Sequence, residues 1–338
     1  MFVSFGEIML RLSPPGHERL LQARSFDAAF GGGEANVAVS LAQFGITSRF
    51  VTALPPNDLG QAALNALRGW GVDTSHILRN GDRLGIYFLE HGASQRPSTV
   101  TYDRKGSSIG EIDPSALDWE QILAGAKWFH FTGITPALSP NAETACRDAV
   151  EAAKRLGLTV SCDLNYRRKL WSKERAGRVM SSLMGAVDVL LANEEDCQSV
   201  FGIAGEGSDV EAGQIDRRRY EQVAQKLTDR FDFQSVAISL RESYSASRNG
   251  WSAMFYGSGS SFFSDPVDID IVDRVGSGDA FAAGIIYGYL RGMPPQEIVD
   301  FAAAAGCLKH SMPGDFNIAS LAEVQALVAG GGSGRVQR

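Results

Sequence analysis

Strand-like and helix-like segments alternate along most of this 338-residue chain. Short apolar runs at 128–132, 158–163 and 187–192 are typical of buried strands, and a segment with helical spacing of apolar residues, 140–156, lies between the first two. Parallel strands need a long crossover, which is usually a helix. This order therefore predicts a mostly parallel α/β sheet with helices on both faces.

One region breaks the alternation. Residues 83–90 and 98–103 are two strand-like runs joined by a polar linker, with no helical segment between them. Together with a stretch near residues 10–30, we expect them to form a small sheet beside the main one, with its later strands within about 83–105. A flap of this kind, called the lid below, suits an enzyme that must exclude water.

The remaining sequence predicts a single domain over residues 1–330. Residues 203–219 are polar and indicate a surface insertion, and 331–338 indicate a disordered tail. The net charge of −7 and the absence of a long basic run argue against nucleic acid as a partner. No apolar stretch of about 18 residues exists, so we predict no membrane span. Four singly scattered cysteines favour free thiols in a reducing compartment, and we expect a cytoplasmic protein.

The strongest local signal is a glycine-rich turn at 273–279 that leads directly into an apolar helix. Gly276 and Gly278 permit positive φ and let the backbone approach a ligand closely. The first-turn amides, including that of Ser277, would be donors aimed at an anion, supported by the helix dipole. Asp279 would then lie beside that anion, where a carboxylate can accept a hydroxyl proton. The alternative is a plain loop with Asp279 placed only by the dipole.

Three further polar segments each allow a second interpretation. Residues 31–36, GGGEAN, open a helix. Gly32 and Gly33 would let the chain pass close to a polar ligand, to which Asn36 could hydrogen-bond. The alternative is that the segment is only a flexible helix start. It is not a dinucleotide fingerprint, because the spacing fails. DLNYRR at 163–168 follows a buried strand and would point into a binding crevice if it stays extended, or it is a charged loop. NEED at 193–196 is by itself a typical helix cap.

These segments occur in the order and spacing of the ribokinase-like, or PfkB, carbohydrate kinases. GGGEANVA resembles the N-terminal signature of that family, VDRVGSGDAFAAG its C-terminal signature, and NEED its NxxE motif, and the likeness extends over about residues 2–328. The resemblance implies a doubly wound α/β fold with a small β-sheet lid, an anion hole at Gly276, Ser277 and Gly278, and Asp279 as catalytic base. It also implies ATP and Mg²⁺, with Asn193 and Asp196 acting on the metal through water, and leaves open a monovalent cation.

Within the family, the chain resembles the 2-keto-3-deoxygluconate kinases in TYDRKGSS at 101–108, HFTGITPAL at 130–138 and DLNYRRKLW at 163–171. This likeness implies a sugar-acid substrate, phosphorylated at its primary hydroxyl to the 6-phosphate. Arginines bind carboxylates through charge-assisted hydrogen bonds. The expected substrate contacts are Gly32, Gly33, Asn36, Tyr87, Tyr102, Arg104, Arg167 and Asp279. We also expect a homo-oligomer assembled through the lid.

Several departures from the family pattern concern the nucleotide side. Asp196 replaces the usual Glu, Arg274 stands where a small residue or Pro is commoner, and SLRESYSA at 239–246 lacks the usual glycine. The expected nucleotide contacts are Asn193, Ser239, Arg241, Gly276 and Gly278. Two alternatives remain: a PfkB kinase for a neutral sugar or a nucleoside, and a non-catalytic sensor of sugar or nucleotide on the same fold.

Overall fold

The computed structural model describes residues 1–205 and 216–331. The predicted insertion at 203–219 and the predicted tail at 331–338 lie mostly outside these residues. The strands are β1 (Phe2–Phe5), β2 (Met9–Ser13), β3 (Asp27–Gly31), β4 (Ser48–Val51), β5 (Ala53–Leu54), β6 (Leu78–Arg79), β7 (Ile86–Glu90), β8 (Thr99–Asp103), β9 (Trp128–Thr132), β10 (Thr159–Asp163), β11 (Val189–Ala192), β12 (Ser235–Ser243), β13 (Arg248–Gly257), β14 (Ser260–Phe263) and β15 (Val267–Asp270). The helices are α1 (Gly33–Gln43), α2 (Asp58–Gly69), α3 (Trp119–Leu123), α4 (Thr135–Leu138), α5 (Pro140–Arg155), α6 (Lys173–Met184), α7 (Glu194–Phe201), α8 (Arg217–Phe231), α9 (Ser277–Arg291), α10 (Pro295–Lys309) and α11 (Leu321–Val328), with a 3₁₀ turn at Pro114–Ala116.

The main sheet has the strand order β14-β13-β12-β11-β10-β9-β1-β4, and β15 also pairs with β13. From β4 to β12 every neighbouring pair is parallel, which confirms the predicted mostly parallel sheet. The strands β13, β14 and β15 add an antiparallel edge that the sequence did not predict. Their residues mix apolar with Gly, Ser and Asn, which weakens any strand signal.

Two apolar layers cover the two faces of this sheet. One layer holds the buried side chains of α3, α5, α6, α7 and α8. The other holds those of α1, α2, α9, α10 and α11, and α9 packs against both α1 and α10. Helices on both faces agree with the expected doubly wound fold, since a parallel sheet must bury both sides.

A separate four-stranded sheet has the order β3-β2-β7-β8. It lies where the sequence predicted the lid, and β7 and β8 pair as an antiparallel hairpin. Its own apolar cluster is small, centred on Met9, Tyr87 and Leu89. The lid therefore depends on contacts with the main domain for much of its position.

No helix within residues 1–205 and 216–331 is both long and apolar enough to cross a membrane. The four cysteines are free thiols; Cys146, Cys162 and Cys197 are buried and Cys307 is partly exposed.

Candidate active site

A cavity of about 380 Å³ lies between the carboxyl ends of the main-sheet strands and the lid. Ligand sites of open α/β sheets are expected at this edge. A wider cleft of about 1090 Å³ continues from it between the β8 side of the lid and the loop after β10. All the residues singled out from the sequence line the smaller cavity: Gly32, Gly33, Asn36, Tyr87, Tyr102, Arg104, Asp163, Asn165, Arg167, Asn193, Asp196, Ser239, Arg241, Gly276, Ser277, Gly278 and Asp279.

The turn before α9 has the geometry of an anion site. Gly276 is the N-cap residue of α9, and its φ of 85° lies in the left-handed region. A Cβ at this position would lie 2.0 Å from the carbonyl oxygen of Asp315, so only glycine fits. Ser277 departs from the expectation, because its amide and hydroxyl both donate to the Arg274 carbonyl. The first-turn amides of Gly278 and Asp279 remain as donors without an intrahelical acceptor.

Asp279 lines the cavity and is buried. Asn36 donates a hydrogen bond of 2.6 Å from Nδ2 to its Oδ2, so the predicted sugar-side asparagine also holds the predicted base. Burial raises the pKa of Asp279 to about 7, partly offset by the Asn36 hydrogen bond. A carboxyl with a pKa near neutral pH is suited to general base catalysis.

The glycines before α1 bring this helix against the site. A Cβ on Gly33 would lie 3.2 Å from Thr132 Cγ2 and 3.6 Å from Asp279 Oδ1. The neighbouring Glu34 is fully buried and accepts hydrogen bonds from the Thr132 amide and hydroxyl and from the Thr135 hydroxyl. Burial raises the pKa of Glu34 despite these bonds. Glu34 therefore joins α1 to the end of β9, a role that the sequence analysis missed.

The loop after β10 does not stay extended, so the condition under which residues 163–168 would point into the crevice as a strand is not met. Asn165 has φ 39°, and its amide donates to Asp163 Oδ1, so the chain turns directly after the strand. Asp163, Asn165 and Arg167 nevertheless all reach the cavity. Burial, with the negative charges of Asp279 and Asp196 nearby, raises the pKa of Asp163 well above its ordinary value, and Arg167 opposes this shift.

Asn193 is the N-cap of α7: its side-chain oxygen accepts from the Asp196 amide at 2.8 Å. Its Nδ2 also donates to Asp196 Oδ2 at 2.9 Å. The capping interpretation is therefore correct for Asn193, although both side chains also line the cavity. Burial raises the pKa of Asp196 to about 6, and Arg167 opposes the shift. Among the described residues, no group of three or more Asp, Glu, His or Cys is arranged to hold a metal directly.

A buried ionic network joins the lid to the main domain. Arg11 of β2 forms ion pairs with Asp273 at 2.6 Å and with Asp315 at 2.9 Å. The Tyr87 hydroxyl of β7 donates to Asp315 at 2.5 Å. The Tyr87 hydroxyl is thus engaged by a carboxylate, while the residue still lines the cavity. The sequence analysis did not identify Arg11 or Asp315, and it noted Asp273 only as the start of the glycine-rich turn. The three residues are 42 to 304 positions apart and belong to different segments.

The two predicted arginines differ in their surroundings. Arg104, just after β8, forms an ion pair with buried Glu7, which also accepts from the Ser107 hydroxyl at 2.8 Å. The guanidinium carbon of Arg104 lies 5.4 Å from the ring centre of Tyr102. Arg167 instead donates to the main-chain oxygen of Tyr166 and faces the carboxyls of Asp163, Asp196 and Asp279. Glu7, the partner of Arg104, is a further residue that the sequence analysis missed.

The nucleotide-side candidates Ser239 and Arg241 lie on β12. Arg241 stacks over Trp251 at 5.8 Å, and Arg274 donates to the Ala246 carbonyl. Burial lowers the pKa of both guanidinium groups. The positive charge of Arg274 lowers the pKa of Arg241 further. Two cations at one end of the cavity are suited to an anionic ligand.

Comparison with known proteins gives the same assignment. Residues 1–319 match the pfkB family of carbohydrate kinases. A solved structure from Thermotoga maritima, named 2-dehydro-3-deoxygluconokinase, is 53% identical with a TM-score of 0.94, and the match covers 97% of this chain and 99% of that one. A relative from Haloferax volcanii, named 2-dehydro-3-deoxygalactonokinase, is 33% identical over 98% of both chains. A Ribokinase II structure from E. coli in complex with ATP and Mg²⁺ shares the fold, at 18% identity, a TM-score of 0.79, and coverage of 97% of this chain and 98% of that one.

The chain therefore belongs to the pfkB family of carbohydrate kinases, as its sequence signatures indicated. It is a phosphotransferase with an alcohol group as acceptor, and its substrates are ATP and a sugar.

Proposed function

We propose that this pfkB kinase phosphorylates the primary hydroxyl of 2-keto-3-deoxygluconate, the sugar acid also called 2-dehydro-3-deoxygluconate, to give the 6-phosphate. The observation that carries the proposal is the position of Asp279 at the N-terminus of α9, in one cavity with Arg104 and Arg167. A base beside an anion site supports phosphoryl transfer. Two guanidinium groups on the sugar side support a substrate with a carboxylate. The name of the Thermotoga maritima structure supports the same substrate.

In the proposed step, the substrate hydroxyl oxygen attacks the γ-phosphorus of ATP. The bond from that phosphorus to the bridging oxygen breaks, ADP leaves, and the hydroxyl proton passes to Asp279. The amides of Gly278 and Asp279 stabilise the charge on the transferring group at the helix N-terminus. Asn36 holds the Asp279 carboxylate at 2.6 Å, which keeps the base oriented toward the sugar.

The residues near Asp196 suit a Mg²⁺ ion that binds through water. Mg²⁺ prefers oxygen ligands and keeps several of its waters. Asn193 and Asp196 offer oxygens, but each is already hydrogen-bonded to the other, which favours contact through water over direct ligation. When bound with ATP, the ion would neutralise charge on the phosphates. Ser239, Arg241 and Arg274 would bind the nucleotide beside it.

The C4 epimer, 2-keto-3-deoxygalactonate, is a second candidate substrate, because the Haloferax volcanii relative is named for it. The carboxylate contacts would be the same for both epimers, so the discrimination would come from the hydroxyl contacts. A neutral sugar, a nucleoside or a sensing role is disfavoured by the two arginines and by Asp279 in the site.

A coupled assay of ADP formation with Mg·ATP tests the proposal. The panel contains both 3-deoxy epimers, their phosphates as negative controls, fructose, ribose and a nucleoside. We expect kcat/KM for a sugar acid to exceed that for every neutral substrate, and a 6-phosphate as product by NMR. A neutral substrate that is preferred over both acids would contradict the substrate assignment, and no turnover with any of them would contradict the kinase assignment.

We also propose that two copies assemble through their lids and that the enzyme is cytoplasmic. Side chains of β8, including Thr99, Thr101 and Asp103, are exposed on the outer edge of the lid, which supports an uncovered strand available to a second copy. The free cysteines support a reducing compartment. Light scattering of the purified enzyme tests the assembly: a mass near one chain contradicts it.

A further inference from the structure

Lys309 is a buried cation that the proposed reaction leaves unused. It is the last residue of α10 and has no solvent exposure. Its Nζ donates to the main-chain oxygen of Met312 at 3.0 Å and lies 3.5 Å from that of Asp273. Fully buried lysines are rare, because removing an ammonium from water is costly. A residue needed only to fill this space could be apolar.

The ammonium lies directly under the turn that precedes α9. Its Cε is 3.3 Å from the position a Cβ would take on Gly276. The amides of Val272 and Asp273 donate to the His310 carbonyl, so the end of α10 and the start of the turn are hydrogen-bonded together. Lys309 adds a third connection between the same two segments, through the Asp273 carbonyl. The end of α10 thus supports the backbone that presents the Gly278 and Asp279 amides.

The carboxylates near Lys309 take their ion pairs and hydrogen bonds from other groups. Arg11 already forms ion pairs with both Asp273 and Asp315. Asp273 also accepts from the amides of Val275 and Gly314, so its oxygens are satisfied. Burial lowers the pKa of Lys309, while the negative charges of Asp273, Asp315 and Asp279 act in the opposite direction. The ammonium therefore balances the second negative charge of this cluster without pairing with it directly, and its own hydrogen bonds go to main-chain oxygens.

Main-chain carbonyl oxygens are also what replaces the hydration shell of a monovalent cation in a protein. We propose that the Lys309 ammonium is a fixed cation that positions the 273–276 turn, so that the phosphoryl site is complete without a bound monovalent ion. This inference rests on the proposed function, since it assigns the turn to phosphoryl transfer. It makes Lys309 a positioning residue, which acts through the turn and not on the substrate.

The inference is tested with Lys309→Ala and Lys309→Met in the full chain. Losing a charged hydrogen-bond donor lowers kcat by roughly 10- to 100-fold. KM for the sugar stays within about twofold, because Arg104 and Arg167 keep their own partners. The alanine variant leaves space, so ammonium or methylammonium chloride restores at least part of kcat. Wild type shows equal kcat in potassium, ammonium and tetramethylammonium chloride. Lys154→Ala, which removes a half-exposed lysine paired with Asp188, is the matched control and keeps wild-type kcat in all three salts.

Several outcomes overturn the inference. One is a folded Lys309→Met variant with kcat within twofold of wild type. Another is a wild-type enzyme whose activity requires potassium. A third is a Lys309→Ala variant that is no more active in ammonium than in tetramethylammonium at equal ionic strength. A second measurement does not depend on turnover: ammonium, but not tetramethylammonium, raises the unfolding midpoint of Lys309→Ala and leaves that of Lys309→Met unchanged. If wild type phosphorylates no sugar, the proposed function fails, and the midpoint experiment alone still decides whether a cation site exists under the turn.

Discussion

The two halves of the active-site cavity are built in different ways. The turn half, Gly276–Asp279 with Asn36, uses main-chain amides and one short hydrogen bond, and the helix that it opens, α9, packs against α1 and α10. The lid half, Tyr87, Tyr102 and Arg104, uses long side chains carried by a small sheet with few apolar contacts of its own. A rigid frame suits the transferred phosphoryl group, which every kinase of this type shares, while a separate sheet suits the sugar, which varies.

The lid half is not free of the turn half. Arg11 and Tyr87 on the lid contact Asp273 and Asp315, the residues on either side of the α9–α10 pair. Because these contacts are buried and charged, breaking one partner is costly. The comparison therefore predicts that changes in the turn affect catalysis for every substrate, and that changes in the lid affect substrates selectively.

The largest expected effect comes from breaking the turn half. Asp279→Ala removes the base and should lower kcat by roughly two to four orders of magnitude, equally for acidic and neutral acceptors, while ATP still binds. For wild type, kcat/KM should fall about tenfold per pH unit below the pKa of about 7, because only the deprotonated carboxylate accepts the proton. Steady-state rates and nucleotide titrations measure both. A variant with near-normal kcat removes Asp279 from the mechanism.

The turn half was predictable from the sequence because its parts are adjacent. Gly276, Gly278 and Asp279 lie within four residues, and only a positive φ at Gly276 and a helix start are needed to assemble them. The parallel sheet was equally predictable, since buried strands and amphipathic helices alternate locally. What adjacency did not reveal is Asn36 as a direct partner of Asp279, because 243 residues separate them.

For the lid half, the sequence predicted where the strands lie but not which side chains form pairs. The sequence placed its strands, yet gave no sign that Glu7 pairs with Arg104 or that Asp315 accepts from Tyr87. Such pairs depend on tertiary packing and leave no local pattern. The sequence left open whether residues 163–168 stay extended or form a loop, and they turn because Asn165 adopts a positive φ.

A second prediction sharpens the comparison through stability. The Asp279 pKa is raised from an ordinary 3.8 to about 7, so between these values the folded protein binds the proton that the unfolded chain releases. Stability from this group is therefore lost as pH rises through that window. Asp279→Asn should stabilise the protein at pH 8 by up to about 4 kcal/mol and have little effect near pH 4. Urea unfolding at both pH values measures this. Equal stability changes at the two pH values would contradict the raised pKa.

The third prediction tests the two arginines proposed to bind the substrate carboxylate, Arg104 of the lid half and Arg167 of the loop after β10. Arg167→Ala should lower kcat/KM for 2-keto-3-deoxygluconate by roughly 10- to 150-fold, the effect of losing one charge-assisted partner, and far less for any neutral sugar the enzyme accepts. Arg104→Ala should act mainly on KM, since Arg104 lies on the lid. Because that variant also leaves Glu7 buried without its partner, Glu7→Gln with Arg104→Ala is the matched control.

Comparing the double variant with Arg104→Ala separates substrate binding from the buried pair. If the loss persists in the double variant and is selective for acids, Arg104 binds the carboxylate. Equal losses on acidic and neutral substrates in both arginine variants would mean that the substrate is not recognised by its carboxylate, and a neutral sugar should then be sought.

The smallest expected effect concerns Asn193 and Asp196, the pair at the start of α7. Asp196→Glu restores the longer side chain of the NxxE motif, and because the contact with Mg²⁺ is proposed to run through water, we expect kcat to change by no more than a few-fold. Asn193→Ala and Asp196→Ala should instead raise the Mg²⁺ concentration needed for half-maximal rate. Asn193→Ala also removes the α7 cap, which costs about 1 kcal/mol of stability, so Asn193→Ser, which keeps a cap, is its control. If the two alanine variants keep the wild-type Mg²⁺ requirement and rate, this pair only caps α7 and has no role at the metal.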